Sequence, residues 1–324
     1  MTNEARIDIL DGWRGVAIAL VLAGHFVPGL GLDGGYNAGR AGVEVFFALS
    51  GTLIGRQLFV DTMPLREFAL RRAARLLPAM WIFIVAAALL FGAAGGALWL
   101  DLAGLANFTA NPVPLQHLWS VSLELQGYLL LALLAFASRR TGLPAPALLL
   151  VATAVAWASA GVEHLRHADG YELYWWPPFR LTAMLLAAAF TTRFAAGAVP
   201  HGRWFGWALL GLALQAHAVP DIVKYTLGSA ALAHAAAALA VQRGGWLARW
   251  LSSRPLVWLG AVSYSIYLWQ QPVYHLQPLP GVLNIALAIA LGALAHRFWD
   301  GPAHHAARRL LSRWTLRPAP SATR

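Results

Sequence analysis

From residue 9 to residue 299 the chain is a succession of apolar runs joined by short polar links, and many runs reach the length of about 20 residues that a helix needs to cross a bilayer. Charged residues make up only 12% of the chain, against about 25% in a typical soluble domain. The pattern predicts an all-α, polytopic integral membrane bundle of about ten transmembrane helices. The spans are expected at 9–27, 41–59, 76–94, 118–137, 143–160, 179–196, 204–219, 222–241, 256–275 and 281–299. The stretch 97–110 is apolar but short and carries Asp101, so it reads as a partial or re-entrant helix on the outer side. No large hydrophilic block is present, which argues against an attached soluble domain, and the first apolar run reads as a retained span rather than a signal peptide.

Charge orients this layout. Of the 24 Lys and Arg residues, Arg40, Arg166, Arg180 and Lys224 fall at the outer face and Arg14 lies inside a span, which leaves 19 at the cytoplasmic side. That asymmetry predicts cytoplasmic N- and C-termini and a multi-pass protein of the inner (cytoplasmic) membrane. The net charge of +10 therefore reflects topology and contact with membrane lipid, and no nucleic acid is expected as a partner. Trp99, Trp119, Trp204, Trp207, Trp246, Trp250 and Trp299 sit where interfacial belts belong, as does the run from Tyr174 to Trp176. The outer loop 161–178, with Glu163, His164, Arg166, His167 and Asp169, reads as a solvated loop that is also polar enough to touch an acceptor. The chain has no cysteine, so disulfides, zinc–thiolate sites and a thiol nucleophile are excluded. The histidines show no metal-ligand spacing, and no metal is expected.

The first span carries an ionisable residue near each end. Arg14 and His25 are eleven residues apart, almost three whole helical turns, so they project from one face roughly 16 Å apart along the axis. Ionisable groups inside a membrane usually face a bundle interior or a wet cavity and mark function. An ordinary first span, with Arg14 snorkelling to one interface and His25 wetted at the other, is the alternative. Glu44 lies near the outer end of the second span, where it can orient the His25 imidazole or pair with Arg40 four residues earlier. Ser50 and Gly51 allow close helix approach. Arg72 and Arg75 share a helix face with phosphate-binding potential, next to Arg71, although the positive-inside rule alone also places arginines here.

These segments together resemble the type-3 membrane acyltransferases, integral membrane enzymes that move acyl groups, usually acetyl, from a coenzyme A thioester to hydroxyls of carbohydrates and some other acceptors. The resemblance rests on Arg-x10-His behind Leu10-Asp-Gly-Trp-Arg-Gly15, on Phe46-Phe-Ala-Leu-Ser-Gly-Thr-Leu-Ile54 and on the basic loop that closes with Arg75-Leu-Leu-Pro78. His117-Leu-Trp-Ser-Val-Ser-Leu-Glu-Leu-Gln-Gly-Tyr128, Phe179-Arg180, and Gly260-Ala-Val-Ser-Tyr-Ser-Ile-Tyr-Leu-Trp-Gln-Gln-Pro272 follow in the family's order. Leu125 replaces a second glutamate, Gln270 stands where histidine is usual, and Asp300 replaces the glutamate of a closing Glu-x-Pro element.

The resemblance implies an acyltransferase domain over 1–305, followed by a basic, cytoplasmic, disordered tail over 306–324. The activity implied is transfer of an acyl group, usually acetyl, from acyl-CoA to a hydroxyl of a cell-surface or lipid-linked carbohydrate. In this reading His25 is the general base, a task that suits a near-neutral imidazole. Arg14 binds the donor or stabilises negative charge, joined in donor binding by Arg71, Arg72 and Arg75, and Glu124 and Glu44 orient. Asp11, Ser50, His117, Tyr264 and Arg180 support the site. The rival readings are an acyltransferase for a small secondary metabolite such as a macrolide, and a membrane transporter with Arg14, His25 and Glu124 along its path. Oligomeric state stays open between monomer and homodimer.

Overall fold

The computed structural model describes residues 8–31, 35–92, 98–108, 113–166, 177–242 and 244–315. The first half contains α1 (Asp8–Phe26), α2 (Ala38–Gly55), α3 (Leu65–Phe91), the short α4 (Leu98–Leu102), α5 (Leu118–Thr141) and α6 (Ala145–Arg166). The second half contains α7 (Pro177–Arg180), α8 (Thr182–Ala195), α9 (Trp204–Ala213), α10 (Asp221–Val223), α11 (Ser229–Val241), α12 (Trp246–Leu251), α13 (Arg254–Leu276), α14 (Gly281–Ala295) and α15 (Gly301–Thr315). Among the described residues the sole β pairing is an isolated antiparallel bridge between Tyr36 and Ala216. The fold is all-α, as expected.

Among the described residues seven helical stretches are long and apolar enough to cross a membrane, namely 8–26, 38–60, 65–91, 113–141, 145–166, 221–241 and 281–310. The protein is a multi-pass membrane protein. The three remaining predicted spans are helical too, but α8 has 14 residues and α9 has 10. The third, α13, has 23 residues and falls short by composition, because Ser263, Ser265, Gln270, Gln271 and His275 interrupt it. Ten crossings therefore remain a proposal.

Hydrogen bonds between loops establish which helix ends share a side. The Arg139 guanidinium at the end of α5 donates to the Leu58 and Met63 carbonyls after α2. At the opposite ends, His217 donates its amide to the Gly35 carbonyl, and Tyr36 donates its hydroxyl to the Leu212 carbonyl. Residues 98–108 fold down along α5, where Ala106 N–H donates to Ser122 Oγ and Gln126 Nε2 donates to Asn107 Oδ1 at 2.7 Å. This segment lies beside the first one to two turns of α5. Residues 109–112 and 167–176, which include His167, Asp169 and the Tyr174–Trp176 run, lie outside the described residues. So do residues 316–324. Helix α15 continues through Thr315, across the boundary expected at 305.

Helix α1 is the packing centre, in contact with α2, α11, α12, α13 and α14. Its closest neighbour is α13. A Cβ added at Gly260 would sit 1.8 Å from the Asp11 carbonyl oxygen, and one at Gly12 would sit 1.7 Å from the Leu251 oxygen. Without a hydrophobic force between helices in lipid, such small-residue contacts let backbones touch and dispersion act. The Ser50-Gly51 pair does the same for α2 against α8, where a Cβ at Gly51 would meet the Met184 oxygen at 2.3 Å. Pro78 inside α3 has no N–H to offer the Ala74 carbonyl. His304 Nδ1 of α15 takes that acceptor at 2.8 Å and ties the last helix to the basic end of α3.

The loops that share a side yield a direct test. With no native cysteine, Asp61→Cys, Thr141→Cys and His305→Cys should all label with an impermeant maleimide only from the cytoplasm. Gly35→Cys should label only from the other face. External labelling at position 305 would overturn the orientation.

Candidate active site

One end of the site is built around Arg14, which is buried in α1 with its Nη1 3.3 Å from Asp11 Oδ1 one turn earlier. It faces a cavity of about 60 Å³ bounded also by Ser50, Arg75, Glu124, Tyr264 and Tyr267. At about 10–15 Å³ of this kind of volume per water, that is room for roughly four to six molecules. Five predicted site residues from five separate helices, Arg14, Ser50, Arg75, Glu124 and Tyr264, thus meet around one polar space.

Each of the anionic and phenolic groups is held. Ser50 Oγ donates to Glu124 Oε1 at 2.6 Å, and Tyr128, one turn along α5, donates its hydroxyl to the same oxygen at 2.5 Å. Tyr264 donates to the Leu76 carbonyl of α3 at 3.0 Å. Arg71, Arg72 and Arg75 of α3 divide by face. Arg75 lines the cavity and has no hydrogen-bond or ion-pair partner among the described residues. Arg72 is buried, donates to Gln57 Oε1 and lies 5.7 Å from both the Phe68 and Tyr128 ring centres. Arg71 points away, half-buried, and pairs with Glu67 one turn back.

His25 occupies the other end, three turns along α1 and outside the cavity wall. Its Nδ1 lies 2.7 Å from Gln270 Oε1, and its ring stacks on Tyr274 with centres 4.4 Å apart and planes inclined by 22°. His117 is the group between the two ends. It packs against Tyr267, centres 5.4 Å apart, and lies near His25. Tyr267 OH in turn bonds Ser120 Oγ at 2.5 Å and donates to the His117 carbonyl at 3.1 Å. Tyr267 and Ser120 both line the cavity, so they are the partition that separates it from the His117 and His25 side.

Glu44 is placed elsewhere than expected. It neither orients His25 nor pairs with Arg40. Its Oε2 is 3.0 Å from Arg180 Nη1, both side chains fully buried, and Ser229 Oγ donates to Oε1. The Arg180 guanidinium lies over Tyr225 at 4.0 Å and near Trp119 and Phe47 at 5.5 and 5.7 Å. This is an ion pair in an aromatic box behind the cavity wall, and it joins α2, α7 and the start of α11. Gln270, which the sequence marked only as a departure, takes the place beside His25 that Glu44 was expected to fill. Tyr128, Ser120, Tyr267 and Tyr274 were also not singled out. The signals were available in part: Tyr128 stands four residues after Glu124, and Tyr274 four after Gln270.

These roles separate by experiment. Removing one partner of a buried ion pair costs about 3–5 kcal/mol, so Arg180→Met should lower the thermal unfolding midpoint in detergent sharply. Glu124→Gln keeps hydrogen-bonding capacity and should leave that midpoint near wild type.

A bundle of apolar helices with ionisable groups around a polar cavity defines an integral membrane protein with a polar space among its helices. The chain belongs to the acyltransferase domain family, whose pattern it matches over residues 7–300. It is similar to the protein YrhL of Bacillus subtilis, 27% identical over 94% of this chain and 56% of that protein. It is also similar to the peptidoglycan O-acetyltransferase OatA of Listeria monocytogenes, 24% identical over 91% of this chain and 55% of the relative. The O-acetyltransferase OatA of Staphylococcus aureus is 25% identical over 90% and 56%. The chain thus spans about half the length of these relatives. No solved structure matches it.

Proposed function

We propose that this chain is a membrane O-acyltransferase of the inner membrane that moves an acetyl group from acyl-CoA to a hydroxyl of a cell-wall or lipid-linked glycan. The observation that carries the reading is the arrangement on α1. Arg14 and the unpaired Arg75 converge on one cavity, while His25 presents an imidazole three turns away on the same helix. Arg75, without an ion-pair partner among the described residues, suits the phosphates of a coenzyme A donor beside Arg14, and guanidinium groups bind phosphate oxygens bidentately. An extended pantetheine arm spans the separation between the arginines and the imidazole. The names of both OatA relatives support O-acetyl transfer, the Listeria monocytogenes name supports peptidoglycan over a macrolide as acceptor, and family membership favours catalysis over transport. The acyltransferase unit is proposed to cover residues 1–305, with both termini cytoplasmic.

In this reading the chain's residues divide the work. His25 accepts the acceptor hydroxyl's proton as its oxygen bonds the thioester carbonyl carbon. The C–S bond breaks, and the proton passes from the imidazolium to the departing thiolate sulfur. Arg14 and Arg75 hold the donor's phosphates, and Glu124, fixed by Ser50 and Tyr128, sets the position of the cationic pair. Arg72, engaged by Gln57, shapes the α3 face rather than meeting the donor. Tyr267 and Ser120 must part for the arm to pass, because the cavity as it stands holds only a few waters.

The direct test is coenzyme A release by purified protein in nanodiscs. Release should require acetyl-CoA together with a muropeptide or lipid-linked glycan acceptor, and an absence of release with every such glycan contradicts the acceptor class. Arg75→Ala should raise the KM for acetyl-CoA by about tenfold or more, since a hydrogen bond to a charged group is worth about 1.5–3 kcal/mol. Arg71→Ala, whose guanidinium is committed to Glu67, should leave that KM unchanged. Equal KM values in both variants would reduce α3's arginines to topology signals.

A further inference from the structure

The pair Gln270 and Gln271 on α13 forms a directed chain of hydrogen bonds that ends on His25. It begins at the Val113 backbone carbonyl, an acceptor with no proton to give. Gln271 Nε2 donates to that carbonyl at 3.2 Å, so its amide is oriented with Oε1 on the other side. Gln270 Nε2 donates to this Oε1 at 3.2 Å and to the Tyr267 carbonyl at 3.4 Å. The remaining atom, Gln270 Oε1, faces His25 Nδ1 at 2.7 Å. Reversing Gln270 would set oxygen against oxygen at Gln271 and Tyr267, and reversing Gln271 would set oxygen against oxygen at Val113 and nitrogen against nitrogen at Gln270, so the direction of the chain is forced from its anchor.

We infer that Gln270 is a positioning residue that holds His25 as the Nδ1–H tautomer and leaves the Nε2 lone pair as the proton acceptor. An oxygen beside Nδ1 requires a proton there, and a neutral imidazole carries only one. The tautomer follows from the network rather than from any observed hydrogen. Gln270 is fully buried and Gln271 nearly so, which removes water as a competing partner. Tyr274, one turn beyond Gln270 on the same helix, stacks on the ring face and stops it from turning over. The anchor also gives the segment between α4 and α5 a task, since Val113 closes it before α5. The titratable groups facing the imidazole are His117 and Tyr274; an amide in place of a carboxylate orients the ring without adding a charge. The inference deepens the general-base reading of His25 and rests on it for its catalytic meaning, while the tautomer itself is a separate observable.

The test is ¹⁵N NMR of histidine-labelled full-length protein in nanodiscs, with the His25 signals assigned by their loss in His25→Gln. At a pH where the ring is neutral, native His25 should show a protonated Nδ1 and an unprotonated Nε2. Gln270→Met removes the acceptor while keeping the side-chain length; it should shift His25 towards the Nε2–H tautomer and lower kcat by about 10²-fold or more, the low end of general-base contributions. Gln270→Glu should preserve the Nδ1–H tautomer, and the acidic limb of its pH–rate profile should move to higher pH, because a carboxylate favours the protonated ring. An Nε2-protonated His25 in the native protein, or an unchanged tautomer in Gln270→Met, overturns the assignment. Those spectra do not depend on turnover, so a failure of the catalytic reading would appear separately, in the coenzyme A assay.

Discussion

Every ionisable or hydrogen-bonding side chain that this chain places at membrane depth has to be satisfied by protein or by a wet cavity, because lipid offers it nothing. The structure meets that constraint in three places. Glu44 and Arg180 neutralise each other within an aromatic box. Arg14, Arg75 and Glu124 share one small polar space. His25 is tied through two glutamines to a backbone carbonyl. The first is a structural pin, and the other two lie at opposite ends of α1. Helix α1 can serve both because its glycines let α13 pack backbone to backbone against it, which places Tyr264 and Tyr267 at one end and Gln270 and Tyr274 at the other.

This division explains why the cavity is small and interrupted. Tyr267 and Ser120 bond one another in its wall, on the side of His117, whose carbonyl Tyr267 also reaches. A partition made of two hydroxyls is easily exchanged for a polar ligand, since each can rebond to a substrate oxygen. A continuous hydrophobic plug would lack that property. The same hydroxyl of Tyr267 also reaches the His117 carbonyl, so displacement of the partition acts directly on the residues next to His25.

Much of this was legible in the sequence, and for definite reasons. Apolar run length foretold the all-α fold, and the eleven-residue spacing of Arg14 and His25 placed them on one helix face. Short length and Asp101 marked the apolar stretch 97–110 as a partial or re-entrant helix, and the bonds from Ala106 and Gln126 lay part of it along α5. The shared order of the motifs pointed to the family. Long-range partners were not legible. Glu44 has Arg40 within one turn and His25 one span away, yet its partner is Arg180, 136 residues on, because α2 and α8 run side by side through Gly51. Gln270 looked like the loss of a histidine, and only the geometry of Gln271 and Val113 shows what an amide does there. Arg71, Arg72 and Arg75 of α3 looked alike in sequence; helix facing alone assigns Arg75 to the cavity, Arg72 to Gln57 and Arg71 to Glu67.

The account turns on His25 as the group that takes the acceptor's proton. The most direct measurement is steady-state coenzyme A release, dependent on acceptor, by purified His25→Ala protein in nanodiscs, beside wild type at matched folded amounts. General-base assistance is worth about 10²–10⁴ in rate. The account predicts a kcat lower by that factor, with the KM for acetyl-CoA nearly unchanged, because the donor's phosphates are held at the Arg14 end. A His25→Ala enzyme that keeps most of wild-type kcat would contradict it and make His25 a structural residue.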